Sequence, residues 1–299
     1  MQLLIIFNLI AIDPGAGTTT FDFLQVFPTT REAALGGSTV ASTAGVAGFF
    51  YNPSVLTSPQ LSAVQFDYLS YLAGIHAGTV SYRQSLSSQQ GIGVGLYYLH
   101  AGTMKRTNEE GEEIGVFGAS FANLNLSGAM RINERIAVGA GLAGIYGNID
   151  TFFSVAVAAN LGTSYDLIPH NLQLGFSTTN LGIQIKPFGD VREPLLVEFA
   201  VGVNYQPVPA LNLSLAFHKP LKNRFNYRLG VEGWVNQYLV LRGGYSSAGV
   251  DLSGGGAAGV LAGFTSGLGV RYQRYRVDYS FVPMGIVGFS HRFGFGFDL

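Results

Sequence analysis

The chain has 299 residues, of which 47% are hydrophobic and only 12% charged, with a formal net charge of -1 and no cysteine. Soluble domains carry about 25% charged residues, so this surface is not built to face water alone. The charge balance and the absence of any long Lys/Arg cluster exclude a nucleic-acid partner, and the lack of Cys excludes disulfides, thiolate nucleophiles and Cys-metal sites.

The first sustained apolar run is "LLIIFNLIAI", residues 3–12. It is too short for a spanning helix, which needs about 20 residues. It reads as the apolar region of a signal peptide over residues 1–19, with "GAG" at 15–17 as a processing site and the usual Lys/Arg before the apolar run missing. Residues 20–58 differ in kind. They combine small residues, a Gly36-Gly37 pair and "YNPS" at 51–54, without alternation. The segment is too short for its own core, so it is expected to sit as a plug in the mouth of a larger unit, with Asn52 and Pro53 turning the chain toward that unit.

From residue 59 to 299 one pattern repeats. Leu195, Val197, Phe199, Val201, Val203 and Tyr205 alternate with Leu196, Glu198, Ala200, Gly202, Asn204 and Gln206, the period of two that marks a strand. Residues 211–218, "LNLSLAFH", and 275–281, "YRVDYSF", do the same. Such runs fall near 60–70, 73–84, 89–103, 115–130, 135–148, 151–165 and 170–181. Others lie near 194–206, 209–218, 224–235, 237–246, 259–272, 275–283 and 288–299. About fourteen strands result. Abundant Gly and aromatics suit strands and tight turns.

The connectors alternate between short ones ("INER" at 132–135, "QPVP" at 206–209, "VNQ" at 235–237, "QR" at 273–274) and long polar ones at 103–115, 183–194, 218–225 and 246–259. Short turns at one end and long loops at the other describe an all-β, antiparallel transmembrane barrel of the outer membrane. The sheet must close, because lipid satisfies no open edge.

In "HRFGFGFDL", residues 291–299, Phe293, Phe295, Phe297 and Leu299 alternate with small or polar residues. A closing strand explains this apolar row: it faces lipid, and its terminal aromatics resemble the assembly signal that outer-membrane barrels present to the barrel-insertion machinery. By the same alternation Phe199, Val201, Leu213 and Phe217 face lipid. The opposite rows place Glu198, Arg228, Glu232, Arg242, Arg271, Arg276, Asp278 and Arg292 in the lumen, beside Asn204, Asn212, Ser214 and His218. Confined charges are costly unless paired, so these are expected to pair across neighbouring strands, Asp278 with Arg292 among them.

The run "FDFLQVFPTTREAALGGSTV" with "FYNPSVL", and the closing "VDYSFVPMGIVGFSHRFGFGF", resemble the two ends of the PorV/PorQ family, the entry being nearer the PorQ side. The resemblance covers about a quarter of the chain. Ser54 stands where that family usually has Ala, and Phe49 and Phe50 stand where it often has acidic or small residues. It implies a fold similar to the fatty-acid transporter FadL, with fourteen strands and an N-terminal plug. It further implies a Gram-negative-type outer membrane and a role in type IX protein secretion or surface attachment, with secretion-system proteins or secreted cargo as partners. The alternative is a FadL-like channel for hydrophobic small molecules. A hydrophobic path needs apolar lining, and the alternation supplies charges, which favours the protein-handling role.

No enzyme is expected. The five His residues are scattered without an HExxH pair, and no GxSxG elbow occurs, so no catalytic, metal or cofactor site is assigned. Glycine runs such as "GGGAAG" at 254–259 lie between no strand and helix that would make them phosphate loops.

Overall fold

The computed structural model describes residues 15, 17–42, 44–58, 62–252, 261–285 and 288–299. The expected signal peptide lies, apart from a few residues at its end, outside the described residues, as does "GGGAAG".

Fourteen strands form one closed antiparallel barrel. They are β1 (Ala63–Ser70), β2 (His76–Ser85), β3 (Gln90–Thr107), β4 (Glu113–Arg131), β5 (Ile136–Ile149), β6 (Phe152–Ile168) and β7 (Leu172–Lys186). The second half comprises β8 (Glu198–Val208), β9 (Leu211–Pro220), β10 (Asn226–Trp234), β11 (Leu239–Ser246), β12 (Phe264–Tyr272), β13 (Tyr275–Pro283) and β14 (Phe289–Asp298). Each strand pairs with its chain neighbours, and β1 pairs with β14 from Ala63 opposite Asp298 to Ser70 opposite His291. The Leu299 amide adds a bond to the Ser62 carbonyl at 2.8 Å. Closure leaves no strand edge unpaired, which a lipid environment demands.

The outward rows are apolar and exposed: Phe66, Tyr68, Phe199, Val201, Leu213, Phe217, Phe293 and Phe295 all belong to them. Where β1 meets β14, Phe66 stands opposite Phe295 and Tyr68 opposite Phe293. Such cross-strand aromatic pairs stabilise a sheet, and the outward apolar band is what a barrel shows to lipid.

Several polar stretches expected as loops are strand. β3 and β4 run on to Thr107 and from Glu113, leaving only residues 108–112 between them. Lys105 pairs with Glu113 and Arg106 with Asp150. The first pair lies across the β3–β4 hairpin and the second reaches the β5–β6 turn, so polarity there marks a strand continuing beyond the apolar band rather than a loop. The 218–225 connector shrinks to 221–225, whereas the 183–194 one shifts to 187–197, because β7 runs on to Lys186 while Leu195, Leu196 and Val197, expected to begin a strand, are buried ahead of β8.

Residues 20–58 lie inside the barrel. They form a short helix α1 (Thr30–Ala34) and the 3-10 turns Asp22–Gln25, Thr39–Ala41, Gly48–Phe50 and Pro53–Thr57. Most of their side chains are buried. The barrel wall makes room for them with glycine: a Cβ at Gly139 would stand 2.5 Å from the Pro53 carbonyl carbon, and one at Gly162 would overlap the Asn52 side chain. Part of the high glycine content is therefore wall beneath this inner segment, a role that turn chemistry does not reveal.

Candidate functional site

The lumen is occupied, and the attachment of the inner segment is built from its shortest helix outward. The spacing Thr29-x-x-Glu32 is a capping-box signature. Here the Thr29 hydroxyl donates to Glu32 Oε2 at 2.6 Å. The Thr30 amide donates to Asp67 Oδ1 on β1 at 2.8 Å, so the wall itself satisfies one free amide of the helix start. The helix ends on Gly36 and Gly37, with φ of 63° and 75°. The Gly37 amide reaches back to the Glu32 carbonyl at 2.9 Å, a glycine C-terminal closure that other residues adopt at a steric cost.

Arg31, thus positioned, holds Glu232 on β10 with one edge of its guanidinium, Nη2 donating to Oε1 at 2.7 Å and Nε to Oε2 at 2.9 Å. Glu232 Oε2 also accepts from Arg242 Nε at 2.7 Å, and Arg242 Nη1 donates to Asp278 Oδ1 at 2.5 Å. A buried chain of alternating charge thus runs from the inner segment across β10, β11 and β13. Each charge has a counter-charge, the condition under which burial is tolerated.

The remaining lumen residues divide. Glu198 bonds His218 at 2.8 Å and lies 3.8 Å from Arg228. Arg228 also covers the Phe27 ring, 5.3 Å from its centroid. Arg271 and Arg276 converge on Asp298, at 3.0 and 2.9 Å. Arg292 departs from the expected pairing. It is buried, donates to Ser290 Oγ at 3.1 Å and to the Phe27 carbonyl at 3.4 Å, and has no ion pair among the described residues. The register explains why: Arg292 stands opposite Ser280, while Gly294 faces Asp278, leaving Asp278 to Arg242. Ser214 bonds Ser38 at 2.6 Å.

Asn52 and Pro53 open the last turn of the inner segment. Asn52 Nδ2 donates to the Val40 carbonyl at 2.7 Å, and its Oδ1 accepts from the Ser54 amide and hydroxyl at 3.1 and 2.8 Å. The far end of that turn is held by Arg83 of β2, which donates to the carbonyls of Val55, Leu56 and Ser58 at 3.0, 3.3 and 2.8 Å. Arg31, Asp67 and Arg83 were not singled out from sequence. For Asp67 and Arg83 the signal existed, since Phe66 and Tyr68, or Val80 and Tyr82, alternate with them as outward residues.

The lumen is not charged throughout. Toward the end with the β3–β4 and β7–β8 loops, the inward rows of β3, β5 and β6 are apolar, with Tyr97, Leu99, Ala143, Ile145, Ala156 and Ala158 in one buried cluster. Phe21 and Phe23 of the inner segment enter it. The Phe23 ring stacks on Tyr97 and Phe121, with centroids at 5.6 and 5.2 Å. At the opposite, short-turn end lies a polar cavity of about 810 Å³ whose lining includes Arg131, Asp166, Gln173, Asn204 and Asn212. Inward charges thus stand on β8–β14 and also at Asp67, Arg83, Arg131 and Asp166, whereas the stretch of β3, β5 and β6 around Tyr97, Ile145 and Ala156 is apolar, and its small and aromatic inward residues weaken the contrast between the two faces of each strand.

No protein-family model and no curated protein matches the sequence. Solved structures do. The chain is similar to the Ralstonia pickettii toluene transporter TbuX, with a TM-score of 0.66 and 12% identity, covering 90% of this chain and 98% of that one. It is similar to the CymD monoaromatic hydrocarbon channel, with a TM-score of 0.65 and 13% identity over 98% and 99% of the two chains. A Pseudomonas aeruginosa FadL homologue matches at a TM-score of 0.57 and 11% identity over 91% and 99%. At such identities the likeness is one of fold, and the fold is that of a FadL-like outer-membrane barrel.

Proposed function

We propose that this protein resides in the outer membrane of a Gram-negative-type bacterium and passes small hydrophobic molecules, with residues 20–58 acting as its plug. The observation that carries this reading is the apolar cluster into which Phe23 stacks. An apolar, aromatic-lined site inside a barrel is what a compact hydrophobic molecule needs, and a protein cargo does not. The fold neighbours support it, since two are described as a toluene transporter and a monoaromatic hydrocarbon channel. The secretion role rests on the likeness of the chain ends to PorV/PorQ proteins and draws no support from these neighbours.

The test is uptake of labelled toluene by proteoliposomes holding the purified barrel, with folding checked by heat-modifiable gel mobility. Ala143→Asp places a charge in the apolar cluster and is expected to abolish uptake, whereas Asn212→Asp in the polar cavity leaves it unchanged. Uptake no faster than in empty liposomes, or equal in both variants, defeats the proposal. If Lys105→Ala and Arg106→Ala at the end of β3, with Glu109→Ala and Glu110→Ala in the loop beyond it, instead abolish capture of a secreted protein, the protein-handling role takes its place.

A further inference from the structure

The ring site around Phe23 is apolar but not wholly so. On β3 and β4, two successive inward rungs face one another: Leu99 opposite Phe121, and Tyr97 opposite Asn123. Phe23 stacks over the Tyr97 and Phe121 rings. Tyr97 and Asn123 are only 2% and 6% exposed. Yet, among the described residues, neither the Tyr97 hydroxyl nor Asn123 Oδ1 has a hydrogen-bond partner. Buried polar atoms are almost always bonded, so two orphans on facing residues call for a reason. Phe23, the group that fills the site, has nothing to offer them. A hydroxyl does: it donates to the Asn123 carbonyl oxygen and accepts from the Tyr97 phenol.

We infer that the Tyr97–Asn123 rung is a polar anchor that selects compact apolar molecules bearing a single neutral hydroxyl, such as methylphenols, over their plain hydrocarbon counterparts. The inference rests on the channel reading and refines it. The ligand's ring takes the stacking position of Phe23 between Tyr97 and Phe121, and its hydroxyl lies at the next rung. A hydrocarbon fits the same ring position but leaves both polar atoms unpaired, so the site discriminates against it as hydrogen-bonding sites do against analogues lacking the bonded group.

The test compares toluene with 4-methylphenol, the same body plus a hydroxyl, by calorimetric titration of the purified barrel against a matched detergent blank. The wild-type protein is expected to bind 4-methylphenol about tenfold or more tightly than toluene. Tyr97→Phe and Asn123→Leu are each expected to erase most of that preference, the loss falling chiefly on 4-methylphenol. A preference that survives both variants overturns the inference, as does its absence in the wild-type protein when toluene binds; in either case the channel reading stands. Equal weakening of both compounds reveals packing alone and overturns it too. Binding of neither compound defeats the inference and the channel reading together.

Discussion

Replacing Glu232 by Gln keeps its shape and removes its charge where Arg31 of the inner segment is ion-paired to the barrel wall. The carboxylate accepts from Arg31 at 2.7 and 2.9 Å and from Arg242 at 2.7 Å. Removing one member of a buried ion pair costs about 3–5 kcal/mol, because the partner charge is left without compensation. The cost here falls at the low end, since Arg31 keeps Glu32 at 3.5 Å and Arg242 keeps Asp278 at 2.5 Å. About 3 kcal/mol is a shift of roughly a hundredfold in the equilibrium between seated and released α1. The barrel ladders are untouched, so the effect is local. Hydrogen exchange reads it directly: the amides of Leu35 and Gly37, bonded to the Arg31 and Glu32 carbonyls, should exchange about a hundred times faster, while amides of β3 to β7 keep their protection. Adding Arg31→Met removes the stranded cation, so the double variant should be no worse than Glu232→Gln alone. Unchanged exchange at Leu35 and Gly37, or strictly additive losses in the double variant, would refute the electrostatic account of the anchor.

Three further outcomes follow from the wall. Leu213→Arg sets a cation on the lipid face at a cost of about 2–4 kcal/mol and should prevent the heat-modifiable folded band, whereas Asn212→Arg, facing the polar cavity, should keep it. Gly139→Val drives a side chain into the Pro53 backbone and should expose residues 44–58 to protease in a barrel that still folds. Removing residues 297–299 deletes the end of the β1–β14 seam, including Asp298, which holds both Arg271 and Arg276; the chain should fail to insert, and a detergent-resistant band from the truncated chain would count against its role in assembly.

How much of this was legible beforehand depended on whether a residue's surroundings are set by its own strand. The strands were, because an outward Phe or Val row beside an inward Gly, Ser or Glu row has the period of a sheet whatever lies opposite. Thus Leu213 and Glu198 could be oriented from their neighbours alone. The reach of β3 and β4 was not, because Lys105 and Glu113 read singly as loop residues and only their pairing shows a hairpin. The anchor was half visible: parity turns Glu232, Arg242 and Asp278 inward, but their link to Arg31 comes from a segment with no periodicity, fixed by a single helical turn and its Gly36-Gly37 end. The apolar cluster is hidden in the sequence for another reason. Ala143, Ala156 and Ala158 carry too little side chain for alternation to stand out, and their significance appears only when Phe21 and Phe23 are seen packed on them.

The two kinds of contact divide the inner segment mechanically. From α1 to Thr57 it is tied to the wall by directional bonds, at Asp67, Glu232, Ser214 and Arg83, and moving any of these strands a buried polar or charged group. Residues 21–26 are held otherwise. Among the described residues their hydrogen bonds stay within residues 19–26, and their hold on the wall is the apolar packing of Phe21 and Phe23, with Leu24 and Val26 beside them. Apolar packing is non-directional, so another ring of similar size can replace Phe23 with little net loss, whereas no hydrophobic molecule can replace Arg31. On the channel reading, the part of the plug that gives way to a ligand is therefore the aromatic turn Asp22–Gln25, and passage runs along the apolar inward rows of β3, β5 and β6 while the polar and charged ties stay fixed. A covalent check separates this from wholesale release of the plug. A disulfide engineered between the turn and β3 in this cysteine-free chain should block toluene uptake until it is reduced, whereas one placed between Ser38 and Ser214, already in contact, should leave uptake intact. If the second linkage blocks uptake as fully as the first, the whole segment moves, and the division drawn from its bonds is wrong.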